Sequence, residues 1–237
     1  METSYLRAIA FWRTPPLRRI PEPEIMNDEL EVRAYREADF RRVNRSCARR
    51  VLRVAGRSRG HALDLGTGPA EIPIFLCQLA PGWRVTAVDA APRMLAVARE
   101  NVRRHGLEAR IRLRRGDATA LRGLRQEFDL VFSNSLLHHL RDPVPFWREV
   151  RRLVRPGGTV LVQDLLRPRS MAEAKRLVRL HAADESPLLR QLFHRSLLAA
   201  FTPVEVRVQL EAAGLGGLEV RRVSDRHLVV RGRLGIP

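Results

Sequence analysis

Asp64 and Asp89 each close a short run of apolar and β-branched residues, and Gly66-Thr67-Gly68-Pro69-Ala70 follows the first of them. A strand that turns through glycines into a helix lets the backbone approach a ligand closely. The helix N-terminus then offers free N–H groups to an anionic moiety. An acid closing the next strand, Asp89, can accept hydrogen bonds from both hydroxyls of a ribose. Gly116-Asp117-Ala118 adds a third acid, suited to accept from an adenine amino group. A dinucleotide fingerprint would require a third glycine at position 71, where this chain has Glu71. It also has an apolar residue where Asp64 stands, because a carboxylate there would repel a pyrophosphate. The same carboxylate suits an aminoacyl ammonium.

A second chemical group lies in Ser135-Leu136-Leu137-His138-His139-Leu140. Unperturbed histidine titrates near neutrality, so His138 and His139 are the candidate general bases. The competing reading gives one a capping role and leaves the other at the surface. No third ligand stands near them at a recognisable spacing, so no metal site is expected.

These residues need a scaffold that brings strand ends together. From His61 onward, β-branched runs at 61–65, 84–89, 110–114, 128–133 and 158–163 alternate with helical stretches such as 92–105 and 143–154. That alternation predicts an α/β, Rossmann-like, doubly wound fold around a mostly parallel seven-stranded sheet. Runs at 218–223 and 226–230, separated by Ser224-Asp225, predict an antiparallel C-terminal edge hairpin. Helices are expected at 170–183, 188–200 and 203–213. Residues 27–55 read as one helix carrying an apolar stripe of Phe40, Val43, Cys47, Val51 and Val54. Pro15, Pro16, Pro21 and Pro23 make residues 1–27 an arm. The expected division is an N-terminal arm and helical lid at 1–56 and a catalytic domain at 57–237, with a helical insert at 170–213 over an acceptor pocket.

The segments 62–70, 85–89, 116–118, 128–134 and 153–161 occur in an order and spacing that resemble the class I S-adenosylmethionine-dependent methyltransferases. The likeness spans about residues 59–164 and is nearest the small-molecule, ubiquinone/menaquinone-type C-methyltransferase branch. Ala70 departs from the glycine common there in that family. The resemblance implies S-adenosyl-L-methionine as cofactor, with Asp64, Gly66, Thr67 and Gly68 at its methionine part and Asp89 at its ribose. It implies Ala90 and Met94 flanking the adenine, Asp117 and Ala118 at the adenine's polar edge, and Asn134 beside the sulfonium. Methyl transfer would then go by in-line displacement to a small-molecule acceptor. Tyr35, Asp39, Phe40, Phe193 and His194 are the candidates for the acceptor pocket.

Charge supplies the main rival reading. The chain has 237 residues and a net charge of +17, and Lys175 is its sole lysine. Such a balance suits phosphate contacts and makes an RNA or other nucleic-acid methyltransferase the alternative. However, the arginines are spread over almost every segment, and the near-complete use of Arg for Lys also fits a codon bias. Ser133-Asn134-Ser135-Leu136 lacks the Asn/Asp-Pro-Pro-aromatic run with which amino-methylating nucleic-acid enzymes stack a flipped base. A non-catalytic scaffold subunit is the second alternative, disfavoured by the intact acidic set. Cys47 and Cys77 read as reduced packing residues, Met1–Trp12 as a poor signal peptide, and no run suits a membrane span; a cytoplasmic location is expected.

Overall fold

Seven strands stand in the order β3-β2-β1-β4-β5-β7-β6 in a computed structural model that describes residues 17–23, 28–125 and 127–235, without the side chain of Tyr35. The reading of Met1–Trp12 lies outside the described residues. The strands are β1 (Arg59–Leu65), β2 (Gly82–Asp89), β3 (Ile111–Arg115), β4 (Phe128–Asn134), β5 (Val154–Leu165), β6 (Glu219–Arg222) and β7 (His227–Arg233). The first five pair in parallel, whereas β7 runs antiparallel to both β5 and β6, as the C-terminal hairpin pattern predicts.

Alternation along the strands divides the core between the two faces. Leu63, Leu65, Val131, Val160 and Val162 point to one face, where they meet Phe146, Trp147 and Val150 of α5 (Val144–Leu153) and Val206 and Leu210 of α8 (Pro203–Ala212). Ala62, Leu130, Phe132 and Leu161 point to the other. There they meet α2 (Arg41–Ala55), α3 (Glu71–Leu79) and α4 (Pro92–Arg104) through Val51, Ile74 and Ala98. With both faces covered, the strand interiors are mostly apolar, which is why they read as near-continuous runs, with Asp64, Ser133, Gln163 and Asp164 as buried polar exceptions near the carboxyl ends.

Residues 27–55 depart from the single helix expected. The chain forms α1 (Glu29–Glu37), breaks at Ala38, which is extended with ψ 141, and resumes as α2. Asp39 causes the restart. Its carboxylate accepts from the Arg41 amide at 3.1 Å, and such a local side-chain bond favours a helix beginning over its continuation. Val32 of α1 then packs on Ala91 and Met94.

Two further helices, α6 (Met171–His181) and α7 (Pro187–Ala199), follow β5. Ser170 and Ser186 cap them through the amides of Glu173 and Leu189, and Thr202 with Glu205 forms a capping box for α8. Leu177 and Leu197 bury a small core of their own with Leu165. Residues 17–23 lie against this insert: the Ile20 amide donates to the Leu198 carbonyl at 3.0 Å. Among the described residues no helix is long and apolar enough to cross a membrane.

Candidate active site

Strand β1 has neighbours β2 and β4 on opposite sides, so the sheet order reverses there and a crevice opens beyond the strands' carboxyl ends. A cavity of about 770 Å³ lies there. The loop after β1 is held by its own backbone, with the Gly66 and Thr67 amides both donating to the Val88 carbonyl at 2.9 Å. Gly66 and Gly68 have φ of 75° and 54°. A Cβ on Gly66 would stand 3.0 Å from Leu136, while one on Gly68 would meet nothing within 4 Å. Ala70, at φ 62°, takes the left-handed shape despite its methyl group, which is fully buried.

Asp89 ties two loops together. One carboxylate oxygen accepts from the Gly68 amide at 2.7 Å and the other from the Ala91 amide at 2.8 Å. Burial raises its carboxyl above the ordinary value, and these amide bonds oppose the rise. Asp64 is 2% exposed, and among the described residues no cation pairs with it. Burial pushes its carboxyl up to about 7, against the nearby Thr67 hydroxyl, while the charge of Asp89 adds to the rise. A buried acid facing a cavity without a cation suits an incoming ammonium. Asp117 is exposed and accepts from the amide and hydroxyl of Thr119 at 2.8 and 2.7 Å. Ala90, Met94 and Ala118 line the same end of the cavity. Asn134 accepts from Gln163 at 3.0 Å, and Gln163 is held in turn by Arg50 at 2.8 Å.

The other end of the cavity carries the histidines, on a single 3₁₀ turn at Leu137–His139. Ser135 precedes it in the left-handed region at φ 58°. The surface-and-cap alternative for the pair does not hold for His138, which is 3% exposed with Nδ1 2.7 Å from Asp164 Oδ1. Asp164 also accepts from the Leu137 and Leu165 amides at 2.6 and 2.7 Å. Burial alone would raise Asp164, but the His138 charge and hydrogen bond, with the two amides, hold it below the usual carboxylate range. Burial likewise works against the His138 cation, and Asp164 outweighs it, so this imidazole is raised. His139 behaves oppositely: burial and the neighbouring His138 push it down to about 3. The two rings lie 4.3 Å apart.

Glu22 from the arm completes this end. Its Oε1 lies 3.4 Å from His138 Nε2 and 3.3 Å from His139 Nδ1, and Ser196 donates to it at 3.1 Å. Arg19 anchors the arm by donating to the carbonyls of Ala199, His138 and Leu140 at 2.6 to 2.9 Å, with its guanidinium 4.0 Å over the Phe201 ring.

Among the acceptor-pocket candidates, Phe40 and Phe193 line the cavity. Asp39 lines its rim but is exposed and paired with Arg41, whose hydrogen bonds lower its carboxyl to about 2. His194 is not among the lining residues, because it sits on the turn of α7 behind Phe193; its Nε2 is buried without a partner. The side chain of Tyr35 lies outside the described residues. Sequence reading passed over Glu22, Asp164 and Ser196. Asp164 had a signal, an acid set in the apolar run Val160-Leu161-Val162-Gln163-Asp164-Leu165 at a carboxyl-terminal strand end. Glu22, between two prolines far from the motifs, had none.

The family model of a methyltransferase domain matches residues 63–162. Erythromycin 3''-O-methyltransferase of Saccharopolyspora erythraea is 27% identical over 196 residues, which cover 79% of this chain and 61% of that protein. Demethylmenaquinone methyltransferase of Thermus thermophilus is 35% identical over 106 residues, 45% of this chain and 47% of the relative. The chain thus spans less than two thirds of the length of either. A methyltransferase structure from Aquifex aeolicus superposes with a TM-score of 0.65 at 20% identity, over 87% of this chain and 98% of its own, a likeness of fold. The matched residues hold the acidic row and the glycine turn, so over them the chain is similar to methyltransferase domains, and its fold is that of the class I S-adenosylmethionine-dependent methyltransferases.

Proposed function

We propose that the chain transfers the methyl group of S-adenosylmethionine to a hydroxyl of a small molecule. The observation that carries this reading is one cavity joining two chemically different ends, an acidic row at Asp64, Asp89 and Asp117 and a braced imidazole pair at His138 and His139. Asp64 would hold the cofactor's ammonium, Asp89 its ribose hydroxyls, and the backbone of Gly66, Thr67 and Gly68 the methionine part. Ala90 and Met94 would flank the adenine, with Asp117 and Ala118 at its amino edge and Asn134 beside the sulfonium.

In the transfer, an oxygen lone pair forms the new bond to the methyl carbon as the carbon–sulfur bond breaks and its pair stays on sulfur. The hydroxyl proton must leave as this happens. The leaving group is already good, so alignment and exclusion of water supply much of the gain. The imidazole pair is the part of the wall suited to lowering the cost of the proton loss, which favours a hydroxyl over an amine that needs no such help. Phe40 and Phe193 give the acceptor an apolar surface. We keep the division into an arm and lid at 1–56, a catalytic domain at 57–237 and an insert at 170–213. The free, buried Cys47 and Cys77 support a reducing, cytoplasmic setting.

Among the described residues, Arg141 and Arg226 are the arginines that line the cavity, which gives a nucleic-acid acceptor little of the clustered charge it would need. The test is incubation with methyl-labelled cofactor and a panel of hydroxylated small molecules, followed by mass spectrometry. Label is expected on oxygen, and Asp89→Ala is expected to weaken cofactor binding in calorimetry by about tenfold or more. Unchanged affinity would overturn the cofactor assignment.

A further inference from the structure

The chain folds three good metal donors onto one point. Glu22 Oε1, His138 and His139 offer ligand atoms that all lie within 4.8 Å of one another, and they come from the arm and from the turn after β4. The two measured edges, 3.4 Å from His138 Nε2 to Glu22 and 3.3 Å from His139 Nδ1 to Glu22, suit a cation at their centre. A tetrahedron with bonds of about 2.0–2.1 Å has edges of roughly 3.3–3.4 Å. At 3.4 and 3.3 Å both contacts to Glu22 are long for hydrogen bonds, and the Pro23 carbonyl lies 3.3 Å from the same His139 Nδ1, a contact that a bound cation would replace. By contrast, the opposite nitrogen of His138 is firmly engaged, with Asp164 at 2.7 Å. A carboxylate on the far side of an imidazole fixes the ring and leaves the near nitrogen as the lone pair, the arrangement that supports metal-bound histidines. Asp164 is itself fixed by two amides, and Ser196 holds Glu22.

We propose that Glu22, His138 and His139 bind a borderline divalent cation of the zinc or ferrous type, leaving a coordination position toward the cavity. Two imidazoles and one carboxylate favour such ions over magnesium or calcium, which prefer all-oxygen shells. Three protein ligands with an open position mark a site built to act on a fourth ligand rather than to brace the fold. That ligand is the acceptor hydroxyl. The cation draws electron density from its oxygen, the proton leaves to solvent water, and the oxygen keeps the lone pair that attacks the methyl carbon. The inference rests on the hydroxyl-methylating reading for the identity of the fourth ligand, but not for the binding of the ion.

The test uses the full chain stripped with a chelator, then titrated with Co²⁺, whose visible ligand-field bands report nitrogen–oxygen coordination, with Zn²⁺ as competitor. One Co²⁺ per chain, displaced by Zn²⁺, is expected. Glu22→Gln and His139→Gln, checked for folding by circular dichroism, are each expected to weaken binding by at least about tenfold, the loss that even an outer-shell partner brings. Asp164→Asn is expected to weaken it in the same range, and Asp89→Ala to leave it unchanged while cofactor binding falls. Absence of stoichiometric Co²⁺, or binding indifferent to Glu22→Gln and His139→Gln, overturns the site. Loss of cofactor binding in the unaltered chain would instead overturn the function proposed above and leave the metal result standing.

Discussion

The two ends of the cavity are built in opposite ways. At the cofactor end, each acidic residue stands at or just past a strand's carboxyl end, and the loops are pinned by bonds to neighbouring strands, such as the Gly66 and Thr67 amides on Val88. Position there follows from the sheet register, with Asp64 opposite Ala87 and Phe132. At the acceptor end, Glu22, His138, Asp164 and Ser196 come from four separate parts of the chain and hold one another through side chains. A site on strand ends survives change elsewhere, whereas one assembled from side chains depends on each member. The first suits a ligand common to a family, the second a ligand peculiar to one member.

The largest expected effect lies at the side-chain-built end. Asp164→Asn removes the charge that holds His138, and kcat is expected to fall about a hundredfold or more while cofactor affinity stays within about twofold. Equal losses in both would mean that the two ends are not separable. The next effect sharpens the strand-built end. Because the Asp64 carboxyl is raised to about 7, it becomes increasingly neutral below that pH and loses its attraction for an ammonium. Cofactor affinity, measured by calorimetry from about pH 5.5 to 8.5, is expected to fall by up to about tenfold per unit below 7 and to level off above it. Asp64→Asn should bind weakly and flatten that dependence; a profile that stays sloped assigns it to another group. The smallest effect concerns the arm. Arg19→Ala releases its carbonyl bonds and is expected to raise the acceptor KM by about three- to tenfold with cofactor affinity unchanged.

The same contrast explains what could be read beforehand. Strand ends announce themselves locally, since an apolar run, an acid and a glycine turn are contiguous, and the placing of Asp64, Gly66, Gly68, Asp89 and Asp117 along one sheet edge, where they line one cavity, was legible. The edge hairpin was legible for the same reason. Helix 27–55 was misread because the apolar stripe that carried the reading, Phe40 to Val54, lies wholly beyond the break at Ala38, and one carboxylate, Asp39, bonds to the backbone two residues on. Glu22 could not be found at all, because its partner His138 is brought to it only by the docking of the arm on α7. His138 was found by residue type alone; what makes it chemically distinct from His139 is Asp164, which lies at the end of another strand.

Ala70 has a consequence of its own. A methyl group in the left-handed region costs about 1 kcal/mol or more, and here it is wedged into the face of the core that includes Ile74 and Leu76. The curve therefore keeps its form by being jammed in place, where glycine would keep it by being permissive. Fewer shapes are open to the loop before any ligand arrives, so in the proposed placement of the cofactor less freedom would be surrendered on binding. Such a rim receives its guest as a mould does, already set.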